Sequence, residues 1–466
     1  MQSGAVPVLG EPGEAEFELP AATSADVFPS DFTWGASTSA YQVEGAAAAD
    51  GRLPSIWDTF SHTPGAILNG DNGDAACDHY HRWREDVALL AQLGTGAYRF
   101  SVSWPRILPN GTGPVNAKGL DWYERLVDGL LECGIQPWLT LYHWDLPQPL
   151  EDAGGWPNRA TADAFVRFAE VVARRLGDRI HTWMTLNEPW CSAFLGYQLG
   201  MHAPGRRDDA LALRAAHTLL LAHGRATQAL RGIVTGARVG IVLNPTPVQP
   251  ATPSEADAAA ARRADGYFNR WFLDPLFGRG YPADMLEAVA PLFTPPSDSD
   301  LRSIGTHIDV LGINYYRPTV ARAKPGAYLG FEEAPPDAEP VTAMDWVVRP
   351  EGLRELLVRI NHDYPVPPMA ITENGAAYTD AAPTDGQLHD PERIRYLAGH
   401  VDAVAQAISA GVPVTGYFVW SFLDNFEWAW GYGSRFGLVH VDYATQQRTI
   451  KDSGRWYQRL IAQQTA

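Results

Sequence analysis

Residues 180–189 read IHTWMTLNEP, an apolar run that ends on a charge. The IHTWMTL portion predicts a buried strand. Asn187 and Glu188 come at its end, and Pro189 stops it. A carboxylate delivered to the edge of a core is costly unless something there needs it. The same arrangement, a β-rich run leading into polar or aromatic groups, recurs along the chain. It predicts strands at 32–36, 97–102, 136–141, 183–186, 239–243, 310–313, 369–372 and 414–419. Between them lie amphipathic stretches such as TADAFVRFAEVVARRLG from Thr161 and PERIRYLAGHVDAVAQAISAG from Pro391. In both, apolar residues recur at three and four and a glycine closes the run. Eight strands alternating with helices predict an α/β chain whose parallel sheet closes into a single (β/α)8 TIM barrel with extended βα loops. A doubly wound open sheet is the alternative, but its G-x-G-x-x-G turn after the first strand is absent.

Composition sets the bounds. The 466 residues, 45% apolar and 19% charged, are ample for a large core. Residues 1–27 are rich in Glu, Pro, Ala and Gly without periodicity and are expected to be a mobile tail, leaving 28–466 as one catalytic barrel. Pro-rich patches at 245–253 and 334–340 are expected to be long loops, not domain joints. A net charge of −18 argues against nucleic acid and anionic membrane as partners. The first 51 residues hold no Lys or Arg, so a secretory signal is not expected. Cys77, Cys133 and Cys191 are far apart and odd in number, which fits a reducing cytoplasm. A homo-oligomer is compatible with this composition.

In a barrel of this kind the site lies at the C-terminal ends of the strands. Strand 1 leads to Gln42, strand 2 carries Arg99, and strand 3 ends in YHWDLP with His143 and Trp144. Strand 4 gives Asn187 and Glu188, strand 6 Asn314 and Tyr316, and strand 7 Glu373 in TENG. Strand 8 runs into Trp420, Glu427 and Trp428. Only strand 5 contributes no named group. Two carboxylates, 373 − 188 = 185 residues apart, can therefore face each other across the mouth. Facing carboxylates are what glycosidic cleavage requires, one protonated to release the leaving alcohol and one ionised to attack the anomeric carbon. Their repulsion separates the two pKa values. Arg99 beside Glu373 would hold that group as the anion, leaving Glu188 its proton. Asn187 can hydrogen-bond a sugar 2-hydroxyl.

TLNEP, TENG, HWDLP, INYY, SAYQVEG and WSFLDNFEWAWGYGSRFGLVHVD, in this order, resemble glycoside hydrolase family 1, the β-glucosidase family. The resemblance runs from about Phe28 to about Tyr457. It implies a retaining exo-glycosidase acting on small β-glycosides, with Glu188 as acid/base, Glu373 as nucleophile, and no cofactor or metal. Retention implies carboxyl groups roughly 5–5.5 Å apart. By the same resemblance Gln42, His143, Asn187, Glu427 and Trp428 grip the terminal sugar, with Trp144, Asn314 and Phe436 beside them. Trp420 lies under the sugar ring, Tyr316 and Arg99 support the nucleophile, and Trp346 forms a wall for the leaving group. Asp345 replaces the family's commoner Gly before that Trp. Glu188 is not the Gln of the thioglucosidase branch, so proton donation is retained. Glu427 would repel a substrate phosphate, which implies unphosphorylated sugar.

Other readings carry less. Cys77, His79 and His81 invite a zinc site, but residues two apart on a helix do not share a face and no second ligand cluster appears. Cys191 follows Glu188 closely and reads as packing. The lysines, Lys118, Lys324 and Lys451, end no predicted strand, which argues against Schiff-base chemistry. Two rival functions share the residues: a transglycosidase, and a sugar-binding barrel that performs no hydrolysis.

Overall fold

The eight apolar runs become the staves of one closed parallel barrel in the computed structural model, which describes residues 27–335, 340–381, 383–384 and 386–464. The tail expected over 1–27 lies outside the described residues except for Val27. The strands are β1 (Thr33–Ser37), β2 (Ala97–Ser101), β3 (Gln136–Tyr142), β4 (Thr182–Asn187), β5 (Arg238–Leu243), β6 (Val310–Asn314), β7 (Met369–Asn374) and β8 (Val414–Trp420). Each pairs with its neighbours in chain order, and β1 closes the ring on β8 with Ser37 opposite Trp420. Strands covered on both faces need no polar side, which is why the sequence shows continuous apolar runs and not alternation.

Within the barrel, Ala97, Trp138, Met184, Val242, Val310, Ala370 and Phe418 form a buried cluster drawn from β2 to β8. At the level of Phe418, β1 supplies Gly35, where a Cβ would lie 2.4 Å from the Phe418 ring. The missing side chain makes room for that ring.

The outer ring includes α1 (His79–Gln92), α2 (Ala117–Glu132), α3 (Ala160–Leu176), α4 (Asp209–Ile233), α6 (Pro350–Asp363), α7 (Pro391–Ser409) and α8 (Asp452–Gln464), while α5 (Glu255–Asp265) stands apart from it, its Ala261 and Ala264 packed against Val248, Ala321 and Phe331. In α3, Phe165, Phe168, Val172 and Leu176 share one buried face. Each such burial contributes about 1.5–3 kcal/mol. Arg174 and Arg175 in its last turn complement the helix dipole. The α4 helix opens on Asp208, whose side chain accepts the Leu211 N–H. Shortly after α7, Gly411 takes the left-handed conformation (φ +87°) that lets the chain turn into β8.

One expectation needs correction. The 245–253 patch is not all loop, because Val248–Pro250 pairs with Thr319–Ala323, which in turn pairs with Phe331–Glu333. Val248–Pro250 is an edge strand, and an edge tolerates the missing donor of Pro250. Of the second patch, residues 336–339 lie outside the described residues.

Candidate active site

Arg99, fully buried inside the barrel, ties three strands together. Its Nη1 donates to Glu373 Oε1 on β7 (2.6 Å), Nη2 to Asn187 Oδ1 on β4 (2.7 Å) and Nε to Thr140 Oγ1 on β3 (3.1 Å). Glu373 receives a second hydrogen bond from the Tyr316 hydroxyl, 2.6 Å from Oε2. The glycine of TENG has a steric reason: a Cβ on Gly375 would sit 1.6 Å from the Trp420 carbonyl oxygen.

Glu188 follows the last residue of β4 with φ +46°, a left-handed conformation rare outside glycine. Its N–H still donates to the Val242 carbonyl (2.9 Å), so the chain leaves the sheet only after this residue. Its carboxyl has two neutral partners: Asn314 Nδ2 donates to Oε1 (2.6 Å), and the Cys191 thiol donates to Oε2 (3.0 Å). Asn314 also donates to Asn187 Oδ1 (3.1 Å) and accepts from Thr372 Oγ1 (2.8 Å). The two carboxyls are thus linked through Arg99, Asn187 and Asn314.

Their environments differ in charge. Burial, then the Glu373 charge, raises the pKa of Glu188 to about 7, against the pull of Asn314, Cys191 and Arg99. Burial also pushes Glu373 upward, opposed by the Arg99 charge and by hydrogen bonds from Tyr316 and Arg99. A direct guanidinium contact makes Glu373 the stronger acid of this coupled pair. Glu427 is a third carboxyl in the same pocket, raised to about 8 by burial and then by the charges of Glu373 and Glu188. Gln42 Nε2 donates to it at 3.3 Å.

His143 Nε2 faces Asn187 Nδ2 at 3.0 Å. Because Asn187 Oδ1 already accepts two hydrogen bonds, the amide group must be the donor here, and the imidazole carries its hydrogen on Nδ1. Burial, reinforced by the Arg99 charge, holds His143 neutral, with a pKa well below the ordinary range. Its ring is nearly parallel to those of Trp420 (5.7 Å, 24°) and Trp428 (6.0 Å, 22°). Trp144 packs 4.5 Å from Trp428 and donates Nε1 to the Asn187 carbonyl (2.9 Å), so it braces the wall with its polar edge turned to backbone. Tyr316, Trp346 and Phe436 form a second aromatic group that adjoins Trp420, with Trp346 5.2 Å from Tyr316 and 6.1 Å from Phe436.

All the candidates except Gln42, Arg99 and Asn187 line one pocket of about 360 Å³, and those three stand one hydrogen bond behind it. Its mouth carries the exposed apolar residues Leu199, Met201 and Trp430. Sequence reasoning missed one neighbour of Glu188 and the residue behind it. Cys191 is not only packing, since its sulfur meets the carboxyl. Strand β5 does contribute a polar group, Asn244, whose Nδ2 lies 3.5 Å from Cys191 Sγ. The signal for Asn244 was present, because it ends an apolar run as Asn187 and Asn314 do.

Cys77, His79 and His81 are engaged separately, with the Asp424 carbonyl (2.9 Å), Asp86 (2.7 Å) and Asp78 (2.5 Å). Among the described residues Asp380, Asp424 and His440 cluster closely enough to hold a cation. That cluster already holds protein cations: Lys451 bridges Asp380 and Asp424, and Arg435 lies 2.7 Å from Asp424. Among the described residues no helix is long and apolar enough to cross a membrane.

A parallel eight-stranded barrel with paired carboxyls at its mouth is the framework of a glycoside-cleaving enzyme. The chain belongs to glycosyl hydrolase family 1, whose model matches residues 24–466. It is 48% identical to β-glucosidase A of Thermotoga maritima over 436 residues, covering 93% of this chain and 97% of that protein. It is also 48% identical to a bifunctional β-D-glucosidase/β-D-fucosidase of Bifidobacterium breve, covering 94% and 99%. The Thermotoga maritima family 1 β-glucosidase in complex with isofagomine lactam superposes with a TM-score of 0.91 at 48% identity, covering 94% of this chain and 99% of that one.

Proposed function

We propose that this chain is a retaining, exo-acting β-glucosidase that removes terminal non-reducing β-D-glucosyl units from cellobiose, short oligosaccharides and aryl β-glucosides. Glu373, held as the anion by Arg99 and Tyr316, attacks C1 and forms a glycosyl-enzyme. Glu188 gives its proton to the leaving oxygen and then takes one from the water that releases the sugar. Once Glu373 is esterified its charge is gone, which removes one cause of the raised Glu188 pKa and favours Glu188 as a base in the second step. Glu427, His143, Asn187 and Gln42 are the polar grip on the terminal sugar, and Trp420, Trp428 and Trp144 its apolar wall. Three carboxyls favour an uncharged sugar over a phosphorylated one. The reading invokes no cofactor.

The observation that carries the proposal is the unequal support of the two facing carboxyls: a guanidinium for one, only neutral donors for the other. The relatives' names support glucoside as substrate. Turnover of nitrophenyl β-D-glucoside by the wild type, its near-complete loss in Glu373→Ala, and rescue of that variant by azide with an α-glucosyl azide product are expected. Unchanged activity in Glu373→Ala overturns the assignment.

A further inference from the structure

Two residues have no step in that scheme: Cys191, which touches Glu188, and Asn244, which stands behind Cys191. Cys191 Sγ is 3.0 Å from Glu188 Oε2, and Asn244 Nδ2 is 3.5 Å from Cys191 Sγ. They reach this point independently. Asn244 follows β5. Cys191 opens the π-helical turn Cys191–Gln198, and its backbone N–H donates to the Glu188 carbonyl (3.0 Å). The thiol is therefore held under the carboxyl by the backbone of the residue it touches.

The chemistry of the contact has a direction. An amide nitrogen has only hydrogens to give, so the sulfur accepts from Asn244 and turns its own hydrogen to Glu188. Burial and the Glu188 charge push the thiol pKa far above its ordinary value, so the sulfur keeps that hydrogen. The other oxygen of Glu188 meets the Asn314 amide nitrogen, also a pure donor. A thiol sulfur differs from an amide nitrogen because it is both weak donor and weak acceptor. It can donate to an ionised carboxylate and accept from a protonated one. A group that gives a proton in one step and removes one in the next needs a neighbour that tolerates both states.

We propose that Cys191, backed by Asn244, is a positioning residue for Glu188: it fixes the Oε2 edge of the carboxyl in both the proton-bearing and the ionised form. The proposal rests on Glu188 being the acid/base. The other ionisable or charged groups facing Glu188 are Glu373 on β7, Arg99 on β2, Tyr316 after β6 and Glu427 after β8, while neutral His143 after β3 is reached through Asn187. None of these residues is replaced in the Cys191 and Asn244 variants, which keeps the same charged groups around Glu188 throughout.

The test follows kcat/KM for phenyl β-D-glucoside, a poor leaving group, as a function of pH. It compares the wild type with Cys191→Ala, Cys191→Ser, Asn244→Ala and Glu188→Ala, with circular dichroism to verify folding. Cys191→Ala removes a hydrogen bond that favours the anion, so the alkaline limb is expected to move up by about half a pH unit. Cys191→Ser, whose hydroxyl also donates and accepts, is expected to return the limb to or below its wild-type position. Asn244→Ala is expected to shift it upward by less, and this half-buried position carries the test if Cys191→Ala does not accumulate. A limb that ignores both sites, or an equal loss in Ala and Ser with the limb unmoved, overturns the proposal as a mere packing effect. If the limb survives in Glu188→Ala, the acid/base reading itself fails. If it disappears there yet ignores Cys191 and Asn244, only the present inference fails.

Discussion

Tyr316→Phe isolates the claim that Glu373 reacts as an anion. The tyrosine hydroxyl donates to Glu373 Oε2 at 2.6 Å, while its ring packs 5.2 Å from Trp346 and 6.2 Å from Phe436. Phenylalanine keeps the ring contacts and deletes the oxygen. A hydrogen bond to a charged group contributes about 1.5–3 kcal/mol. At about 1.36 kcal/mol per pH unit, its loss raises the pKa of Glu373 by about one to two units. The donor favours the ionised form, so deletion moves the acidic limb of kcat/KM to higher pH. The Arg99 ion pair remains, so Glu373 still ionises and the limb is displaced, not abolished. Tyr316 makes no hydrogen bond to Glu188, so the alkaline limb moves less and the bell narrows from its acid side. The assay is nitrophenyl β-D-glucoside hydrolysis from about pH 4 to about pH 9, fitted as macroscopic values of the coupled pair. A lower maximum with the acidic limb in place would refute the reasoning, since the hydroxyl would then act on the sugar and not on the charge of Glu373.

Three further predictions concern stability. At about pH 7.5 Glu373→Gln is expected to destabilise by about 3–5 kcal/mol, because it leaves the Arg99 guanidinium buried without its anion. Glu188→Gln is expected to stabilise by on the order of 1–3 kcal/mol, because the folded carboxyl holds its proton up to about pH 7. With the folded pKa above the unfolded one, that penalty grows as pH rises through the interval between them, so the gain should vanish near pH 4; urea midpoints at both pH values measure it, and equal destabilisation by the two variants would contradict it. Lys451→Met removes the cation between Asp380 and Asp424 and should cost about 3–5 kcal/mol. Asp424 also accepts from the Gly437 N–H (2.9 Å) in the segment bearing Glu427, Trp428 and Phe436, so KM for the glucoside should rise as well, and a urea midpoint and KM both unchanged would show that the remaining arginines suffice.

The barrel was legible because a strand buried on both faces has one signature, an uninterrupted apolar run, and its C-terminal end has another, a sudden polar group. Both are local properties of the chain. Asn187, Asn314 and Glu373 were visible for this reason, and Asn244 would have been by the same rule. Partnership was harder to read. Nothing near Arg99 in sequence says that its guanidinium reaches β3, β4 and β7 at once, because that depends on how the ring closes. Cys191 was misjudged since its neighbour Asn244 is 53 residues distant. The mouth was least legible: Leu199, Met201 and Phe268 lie on long connections whose course is set by tertiary packing, not periodicity.

The depth of the pocket solves an electrostatic problem that the surface does not reveal. Four carboxyls line it; Glu333 at the mouth pairs with Arg317 (2.7 Å), which leaves Glu188, Glu373 and Glu427 with one guanidinium, Arg99, standing directly behind the wall. Three buried negative charges would repel one another too strongly to coexist with a single cation. The fold resolves this by contact: the carboxyl touching Arg99 takes the charge, and those given neutral partners, Asn314 and Cys191 for Glu188 and Gln42 for Glu427, keep their protons closer to neutrality. A nearly charge-balanced site then persists in a chain of formal net charge −18. In the proposed mechanism such a site would receive a neutral sugar with the nucleophile and the proton donor already in place, the preorganisation from which enzymes derive much of their rate.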